Sequence, residues 1–152
     1  MDISLIKKAS IFADLNETEL ERVLEICTEQ QFKFGQTIFK EDEPGNRLYI
    51  ISAGEVRVSR DVPGSGEEAL AVLKPGACFG EMAVFDRSTR STDAIANTDC
   101  VLVTIARSDF EMLLDFDRDL AYKILWSVVK LLSERLRITN DNLRSFLAMS
   151  MF

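Results

Sequence analysis

Apolar residues in the first part of the chain recur at helical spacing. Between residues 5 and 26, Val23 and Leu24 follow Leu20 by three and four positions, as on one face of an α-helix. Asn16 is followed three residues later by Glu19, which is the spacing of a capping box. The pattern predicts N-terminal helices over about residues 5–30.

Between residues 32 and 105 the pattern changes to short runs rich in Val, Ile, Phe and Thr, separated by Gly and Pro turn signals. The clearest runs are residues 48–52, 56–60, 69–73 and 100–105. The polar residues 61–68 predict a hairpin tip. Strands that recur at such short intervals are typical of a β-sandwich or barrel, which we predict over residues 31–107.

Helical periodicity returns after the barrel. Ser108 and Glu111 have the spacing of a second capping box, and we predict C-terminal helices over residues 108–148. Alternating steps of four and three residues then define a heptad seam, which consists of Leu125, Val129, Leu132, Leu136, Thr139, Leu143 and Phe146. Such a seam favours pairing with a second helix, and we predict a homodimer formed through residues 125–146.

Part of this final helix has apolar residues outside the seam. Ile124, Trp126 and Val128 predict that the helix also packs back on its own barrel. Packing on the barrel alone, without a dimer, is the alternative interpretation. Thr139 and the adjacent Asn140 interrupt the apolar seam, and polar residues at such positions need a reason, such as register or a ligand.

Composition narrows the possible functions. Lys and Arg number 18 against 25 Asp and Glu, which gives a net charge of −7 and speaks against direct binding of nucleic acid. The absence of histidine removes the usual zinc and haem ligand and the Ser/His and Cys/His nucleophilic pairs. We therefore predict no enzyme activity, no catalytic residues, no metal and no cofactor.

The cysteines and the apolar runs bear on where the protein functions. Cys27, Cys78 and Cys100 are odd in number and far apart, so they form neither a disulfide framework nor a CxxC motif. No run approaches the ~20 apolar residues needed to cross a bilayer. We predict a cytoplasmic protein without a membrane segment.

One stretch between two predicted strands has the composition of an anion site. Gly80 permits close approach of the backbone, and residues 82–85 form a predicted helical turn whose free amides favour an anion. Arg90 adds a guanidinium for the same anion, and Glu81 can accept hydrogen bonds from hydroxyls. A phosphate next to a ribose satisfies both side chains, whereas a surface ion pair between Glu81 and Arg90 is the simpler alternative.

Four motifs resemble one known family. Phe-Gly-Glu-Met-Ala-Val at 79–84, followed by Arg-Ser-Thr at 90–92, resembles the phosphate-binding cassette of cyclic nucleotide-binding domains, and we call residues 79–92 the cassette. The hairpin at 45–56 and Leu-Lys-Pro-Gly at 73–76 resemble the segments that precede that cassette. Arg-Leu-Arg-Ile-Thr-Asn at 135–140 is similar to the dimerisation helix of the bacterial catabolite activator branch.

This resemblance covers residues 5–147 and implies a single sensor domain over residues 1–152 without the DNA-binding part of that branch. The implied fold class is α+β and mainly β, a jelly-roll-like barrel or double-stranded β-helix with an N-terminal helical segment and a long C-terminal helix. The implied ligand is a cyclic nucleotide. The sequence itself does not indicate a downstream protein partner.

The resemblance also implies roles for individual residues. Arg90, Ser91 and Ala83 match phosphate-binding positions, and Gly80 and Glu81 match ribose-binding positions. Val58, Leu70 and Leu73 match positions that wall the base. Thr139, with the partner's Asn140, matches the pair that meets the adenine amino group, which favours cAMP. Ser91 keeps cGMP open, because some cGMP-selective members carry a hydroxyl residue there.

The predicted function is a sensor in which ligand binding rearranges the C-terminal dimerisation helix. One alternative keeps the fold but binds no nucleotide, so that the chain is a dimerising or partner-docking module. A metal-dependent enzyme of the cupin type shares the strand pattern, but it depends on histidine ligands, which this sequence does not contain.

Overall fold

The computed structural model describes residues 2–64 and 66–150. Its helices are α1 (Ile3–Lys8), α2 (Glu17–Glu25), α3 (Glu81–Asp86), α4 (Arg107–Phe116) and α5 (Arg118–Ser150), with a 3₁₀ turn at Ser10–Phe12. Its strands are β1 (Cys27–Phe32), β2 (Thr37–Phe39), β3 (Arg47–Ala53), β4 (Val56–Val62), β5 (Gly66–Leu73), β6 (Cys78–Phe79), β7 (Asp93–Ala96) and β8 (Cys100–Ala106).

The strands of the described residues form two antiparallel four-stranded sheets. Their orders are β1-β8-β3-β6 and β2-β7-β4-β5. Each sheet therefore combines strands from distant parts of the chain, which is the arrangement of a jelly roll. The predicted fold class, a mainly β jelly roll with N-terminal helices and a long final helix, is confirmed.

Strand β3 is buried on both faces and separates two hydrophobic cores. Leu48 and Ile50 face a core built with the N-terminal helices, α4 and α5. Tyr49 and Ile51 face the barrel interior together with Phe39 and Phe79. Because side chains of a strand alternate between its two faces, the apolar run at 48–51 supplies both cores and fixes the barrel against the helices.

The N-terminal prediction was correct in kind but too long. The capping box is present, since Asn16 Oδ1 accepts from the Glu19 amide and Glu19 Oε1 accepts from the Asn16 amide, both at 2.9 Å. However, the helical part ends with α2, and Cys27 already begins β1. Pairing with β8 determines this boundary, and Thr28 and Thr104 share a hydroxyl hydrogen bond of 2.7 Å across the two strands.

The hairpin between β4 and β5 is tighter than predicted. Cross-strand pairing continues to Val62 and Gly66, so most of residues 61–68 belongs to strands. Of the remaining tip, Ser65 lies outside the described residues. The polar composition of this hairpin reflects exposed strand positions rather than a long loop.

The predicted capping box at Ser108 is wrong. Helix α4 begins at Arg107, and its N-cap residue, Ala106, makes no side-chain hydrogen bond. The Glu111 carboxylate does not return to the Ser108 amide, because it accepts two hydrogen bonds from Arg87 Nη2 at 2.9 and 3.1 Å. A charged partner from another part of the chain has replaced the local cap.

The N-terminal part of α5 is anchored on the domain. Ile124 is fully buried and Val128 nearly so, as predicted, whereas Trp126 is 51% exposed and does not pack back. Lys123 Nζ lies 2.6 Å from Glu19 Oε1, which ties α5 to α2.

The remainder of α5 leaves its apolar residues exposed. Among the described residues, the apolar members of the heptad seam are between 41% and 66% exposed. None of the described helices is both long enough and apolar enough to cross a membrane.

Candidate functional site

A cavity of about 310 Å³ lies between the cassette and the β4–β5 hairpin, and we call it the cassette cavity. One wall is apolar and includes Val58, Ala71 and Leu73 of the hairpin. The opposite wall consists of cassette residues, and Arg135 of α5 also borders the cavity. The cavity therefore presents an apolar surface and a polar surface to the same small molecule.

The first functional element is the close contact between Gly80 and Arg90. Gly80 has a left-handed backbone with φ of 76° and precedes α3. Its carbonyl accepts a 2.8 Å hydrogen bond from Arg90 Nη1, and the Arg47 carbonyl accepts one of 2.7 Å from Nη2. These two bonds hold the guanidinium at the cavity wall.

Arg90 is a buried cation that forms no ion pair with any other residue within 2–64 and 66–150. It is only 4% exposed, and its guanidinium carbon lies 4.2 Å from the centroid of the Phe39 ring. Burial lowers the pKa of Arg90, and its Nε has no hydrogen-bond partner among the described residues. Burying a charge without an opposite charge is costly, so this site favours an incoming anion.

The second functional element is an ion pair between two residues that line the cassette cavity. Glu81 is the first residue of α3 and its side chain is 7% exposed. Its Oε1 accepts a 2.8 Å hydrogen bond from Arg135 Nη1. Glu81 therefore pairs with α5 rather than with Arg90, and the simpler alternative of a surface ion pair between Glu81 and Arg90 is wrong.

Arg135 was not assigned a role by the sequence analysis. Its contact with Glu81 joins residues 54 positions apart, which periodicity cannot reveal. The available signal was its place in the 135–140 motif, one helical turn before Thr139. The contact links the cassette directly to the predicted dimerisation helix.

The charges around the cassette cavity leave one positive charge in excess. Its lining contains two cations, Arg90 and Arg135, and one carboxylate, Glu81. Cys78 also lines the cavity, but burial raises the pKa of its thiol well above the ordinary value. The cavity is thus suited to a ligand with a single negative charge and an apolar ring system.

Most of the residues predicted for the site surround the cassette cavity. Gly80, Glu81, Ala83, Arg90 and Ser91 line its polar side, and Val58 and Leu73 line its apolar side. No group of three or more Cys, Asp and Glu side chains suited to a metal ion occurs within residues 2–64 and 66–150.

Leu70 is not at the cavity, and its predicted position needs correction. Its side chain is 59% exposed, and Ala71 lines the cavity in its place. Val58 pairs with Ala71 across the hairpin, and a register shift follows between Val58 and Ser59. Alternation along β5 then turns Ala71 and Leu73 inward and Leu70 outward.

Thr139 and Asn140 are not brought to the cavity within a single chain. Both are exposed on α5, and Thr139 Oγ1 donates to the Arg135 carbonyl at 2.8 Å. Thr139 follows Arg135 by four residues and therefore lies on the same helix face. Their predicted contact with a base involves a second chain and stays a prediction.

Gly80→Ala is expected to destabilise the protein more than Gly35→Ala. Both glycines have left-handed backbones, with φ of 76° and 82°, and alanine there costs about 1–2 kcal/mol. A Cβ at Gly80 lies 2.6 Å from Arg90 Nη1, whereas one at Gly35 meets nothing within 4 Å. Gly80→Ala must also displace the guanidinium, which adds about 1 kcal/mol.

Urea unfolding of the two variants measures this difference. Because the backbone conformations match, the free energies of unfolding should differ only by the contact with Arg90. Equal destabilisation of both variants would show that Arg90 moves aside at no cost and is not held by the Gly80 carbonyl.

Comparison with known proteins agrees with this geometry. Residues 29–117 match the family model described as the cyclic nucleotide-binding domain. A CRP-like cAMP-activated global transcriptional regulator of Mycobacterium tuberculosis (strain H37Rv) is 30% identical over 139 residues, which is 91% of this chain and 60% of that protein. The chain thus spans about 60% of the length of this relative.

Solved structures show the same fold. The N-terminal domain of a transcriptional regulator from Streptomyces coelicolor A3(2) superposes with a TM-score of 0.79 and 30% identity, covering 93% of this chain and 95% of that one. The regulatory domain of Toxoplasma gondii PKA, crystallised with cAMP, gives a TM-score of 0.69 and 25% identity over 73% of this chain and 42% of that one. The chain belongs to the cyclic nucleotide-binding domain family.

Proposed function

We propose that this protein binds a 3′,5′-cyclic nucleotide, preferentially cAMP, in the cassette cavity and acts as a regulatory domain without enzyme activity. The observation that carries the proposal is the buried guanidinium of Arg90, 4% exposed and held by two backbone carbonyls. A cyclic phosphate supplies the missing negative charge. Ser91 and Ala83 border the same position and complete the phosphate contacts.

Ligand charge supports a cyclic phosphate over an open one. A cyclic phosphodiester carries one negative charge, whereas a phosphomonoester carries about −1.5 to −2 at neutral pH. The excess of one cation in the cavity lining matches the diester. We therefore expect 5′-AMP to bind more weakly than cAMP.

The other parts of the nucleotide have partners in this arrangement. Glu81 accepts a hydrogen bond from the ribose 2′-hydroxyl next to Gly80. Val58, Ala71 and Leu73 cover one face of the base. Arg135 already contacts Glu81 at 2.8 Å, so a ribose at Glu81 changes the surroundings of α5. This contact is the physical basis for coupling ligand binding to the helix.

We further propose a homodimer through residues 125–146. The exposed heptad seam provides the apolar surface, and Thr139 with the partner's Asn140 meets the adenine amino group. The cAMP named for the Mycobacterium and Toxoplasma relatives supports this ligand. The net charge of −7 supports a role that does not include direct binding of nucleic acid by these residues, and no cofactor is part of the proposal.

A second candidate function is a partner-docking module on the same fold that binds no nucleotide. The Glu81–Arg135 ion pair favours it, because Glu81 is satisfied without a ribose. Arg90 argues against it, because its charge has no comparable partner among the described residues.

Isothermal titration calorimetry with cAMP, cGMP and 5′-AMP tests the proposal. We expect saturable cAMP binding at micromolar or tighter affinity, about −8 kcal/mol, with cGMP and 5′-AMP weaker. Absence of measurable binding of all three ligands up to about 1 mM, equivalent to −4 kcal/mol, would overturn the proposal and favour the nucleotide-free alternative. Tighter binding of cGMP than cAMP would reassign the base preference.

A further inference from the structure

A second pocket, of about 270 Å³, lies outside the cassette cavity and shares no lining residue with it. We call it the arginine pocket. It is lined by Asn46, Arg47, Arg87, Ala106, Arg107, Ser108 and Glu111. These residues lie at the start of β3, directly after α3 and at the junction of β8 and α4, so tertiary folding brings the three arginines together.

The arginine pocket is positively charged within an acidic protein. Glu111 is its one carboxylate, and it accepts from Arg87 Nη2 at 2.9 Å and lies 4.0 Å from Arg107 Nε. The Arg47 side chain has neither an ion pair nor a hydrogen bond among the described residues. Three guanidinium groups against one carboxylate leave two positive charges, in a chain with a net charge of −7.

Local backbone geometry and hydrogen bonds position two of these arginines. Arg87 has a left-handed backbone with φ of 59° directly after α3, a conformation that is costly for a residue with a Cβ. Arg107 Nη1 donates to the Gly45 carbonyl at 3.2 Å, and the Arg107 amide donates to the Asn46 carbonyl at 2.8 Å. The pocket is therefore a built concavity, not a group of arginines on a flat surface.

Glu111 indicates which chemistry the arginine pocket binds. A carboxylate of the chain itself already accepts from Arg87 Nη2 through both oxygens, so guanidinium N–H groups face an oxyanion there. Two excess charges match a dianion better than a second carboxylate. The phosphate monoester group has about that charge at neutral pH and three acceptor oxygens.

We propose that the arginine pocket is a second anion site, which binds the phosphate dianion, either as free phosphate or as the phosphoryl group of a phosphorylated side chain on a partner. Arg47 and Arg107 contact the phosphoryl oxygens, the Ser108 hydroxyl donates to them, and Arg87 exchanges Glu111 for the ligand. This site is independent of the nucleotide proposed for the cassette cavity.

The test is an NMR titration of the full chain with inorganic phosphate at constant ionic strength, observed through backbone amides. We expect saturable shifts at Asn46, Arg87 and Ser108, with a dissociation constant in the millimolar range. Arg47→Gln should weaken this binding about tenfold or more, because it removes a charge-assisted bond. Arg60→Gln is the matched control, since Arg60 lies outside the pocket and pairs with Glu41.

The Glu111→Gln variant tests whether the arginine pocket binds phosphate or only stabilises the fold. The exchange removes the internal competitor and keeps the side-chain shape, so phosphate affinity should rise severalfold. The amide spectrum of each variant reports whether the fold is retained.

The proposal is overturned if the shifts do not saturate, if they centre on Gly80 and Ala83 instead, or if Arg47→Gln or Glu111→Gln leaves the affinity unchanged. A parallel titration distinguishes the source. A phosphoserine peptide that binds at least tenfold more tightly than phosphate identifies a phosphorylated partner, and equal or weaker binding identifies the free anion.

Discussion

Arg90→Gln is expected to weaken cAMP binding by roughly 30-fold to several thousand-fold. Removing one member of a desolvated charge pair costs about 2–5 kcal/mol, and each 1.4 kcal/mol is about tenfold in affinity. Glutamine keeps a donor for one of the two carbonyls that now bind the guanidinium, at Gly80 and Arg47. The loss therefore reports the positive charge more than the volume, and titration calorimetry measures it directly.

Arg60→Gln is the control for this experiment. Arg60 is also an arginine, in strand β4 of the hairpin, but its side chain is 54% exposed, pairs with Glu41 at 3.0 Å and does not line the cassette cavity. The affinity of the Arg60→Gln variant for cAMP should match that of the unmodified protein. If Arg90→Gln also binds cAMP with unchanged affinity, the cassette cavity is not the phosphate site.

The part of the site that could be predicted from sequence lies within one short segment. Gly80, Glu81 and Arg90 are close in sequence. A glycine directly before a predicted helical turn can be recognised from the sequence as a candidate for a left-handed backbone. Their arrangement depends on the local backbone, in which Gly80 adopts a left-handed conformation with φ of 76° directly before α3. The family motif then added the expected roles, and the structure brings all three residues to one cavity.

The apolar wall shows where hydrophobicity misleads. Strand β5 has apolar residues on both faces, and two of its larger ones, Leu70 and Val72, are 59% and 46% exposed. Ala71 faces the cassette cavity because Val58 is its pairing partner, with the shift in register immediately beside it. A shift of one residue turns a strand's side chains to the other face, and residue size alone does not reveal the register.

Contacts between distant residues were beyond the reach of the sequence. Glu111 was expected to cap its own helix, yet it binds Arg87, 24 positions away. Glu81 was expected to accept from a ligand hydroxyl or to pair with Arg90, yet in the single chain it binds Arg135 on α5. In each case the carboxylate forms an ion pair with a distant arginine, which is a stronger interaction than a hydrogen bond to a nearby backbone amide. The identity of that arginine depends on the tertiary fold.

These two ion pairs also place the cassette between two parts of the chain. Glu81 at the start of α3 contacts α5, and Arg87 directly after α3 contacts α4. In the proposed function, a ligand at Glu81 contacts the beginning of a short helix whose other end is attached to α4. We therefore propose that movement of α3 on ligand binding is transmitted to both α4 and α5.

Leu136→Gln is expected to weaken the proposed homodimer by about 100-fold to 20,000-fold. Leu136 is 61% exposed in the single chain and lies near the middle of the heptad seam, so a second copy buries it. Burying a leucine side chain contributes about 1.5–3 kcal/mol, and a symmetric dimer loses two of them. That sum of about 3–6 kcal/mol corresponds to the stated range, which sedimentation equilibrium measures.

Arg137→Gln is the matched control, because it places the same side chain at the next helical position, outside the heptad seam. Residue 137 is also exposed, and the two substitutions have nearly the same effect on helix propensity. Only Leu136→Gln should therefore shift the monomer–dimer equilibrium. If both variants dimerise as the unmodified chain does, the interface lies elsewhere, and Thr139 and the partner's Asn140 cannot meet a shared base. A different result would show that the second chain contributes to the choice of base. In that case Leu136→Gln is monomeric and still binds both cyclic nucleotides, but its affinities for cAMP and cGMP differ less than those of the unmodified protein.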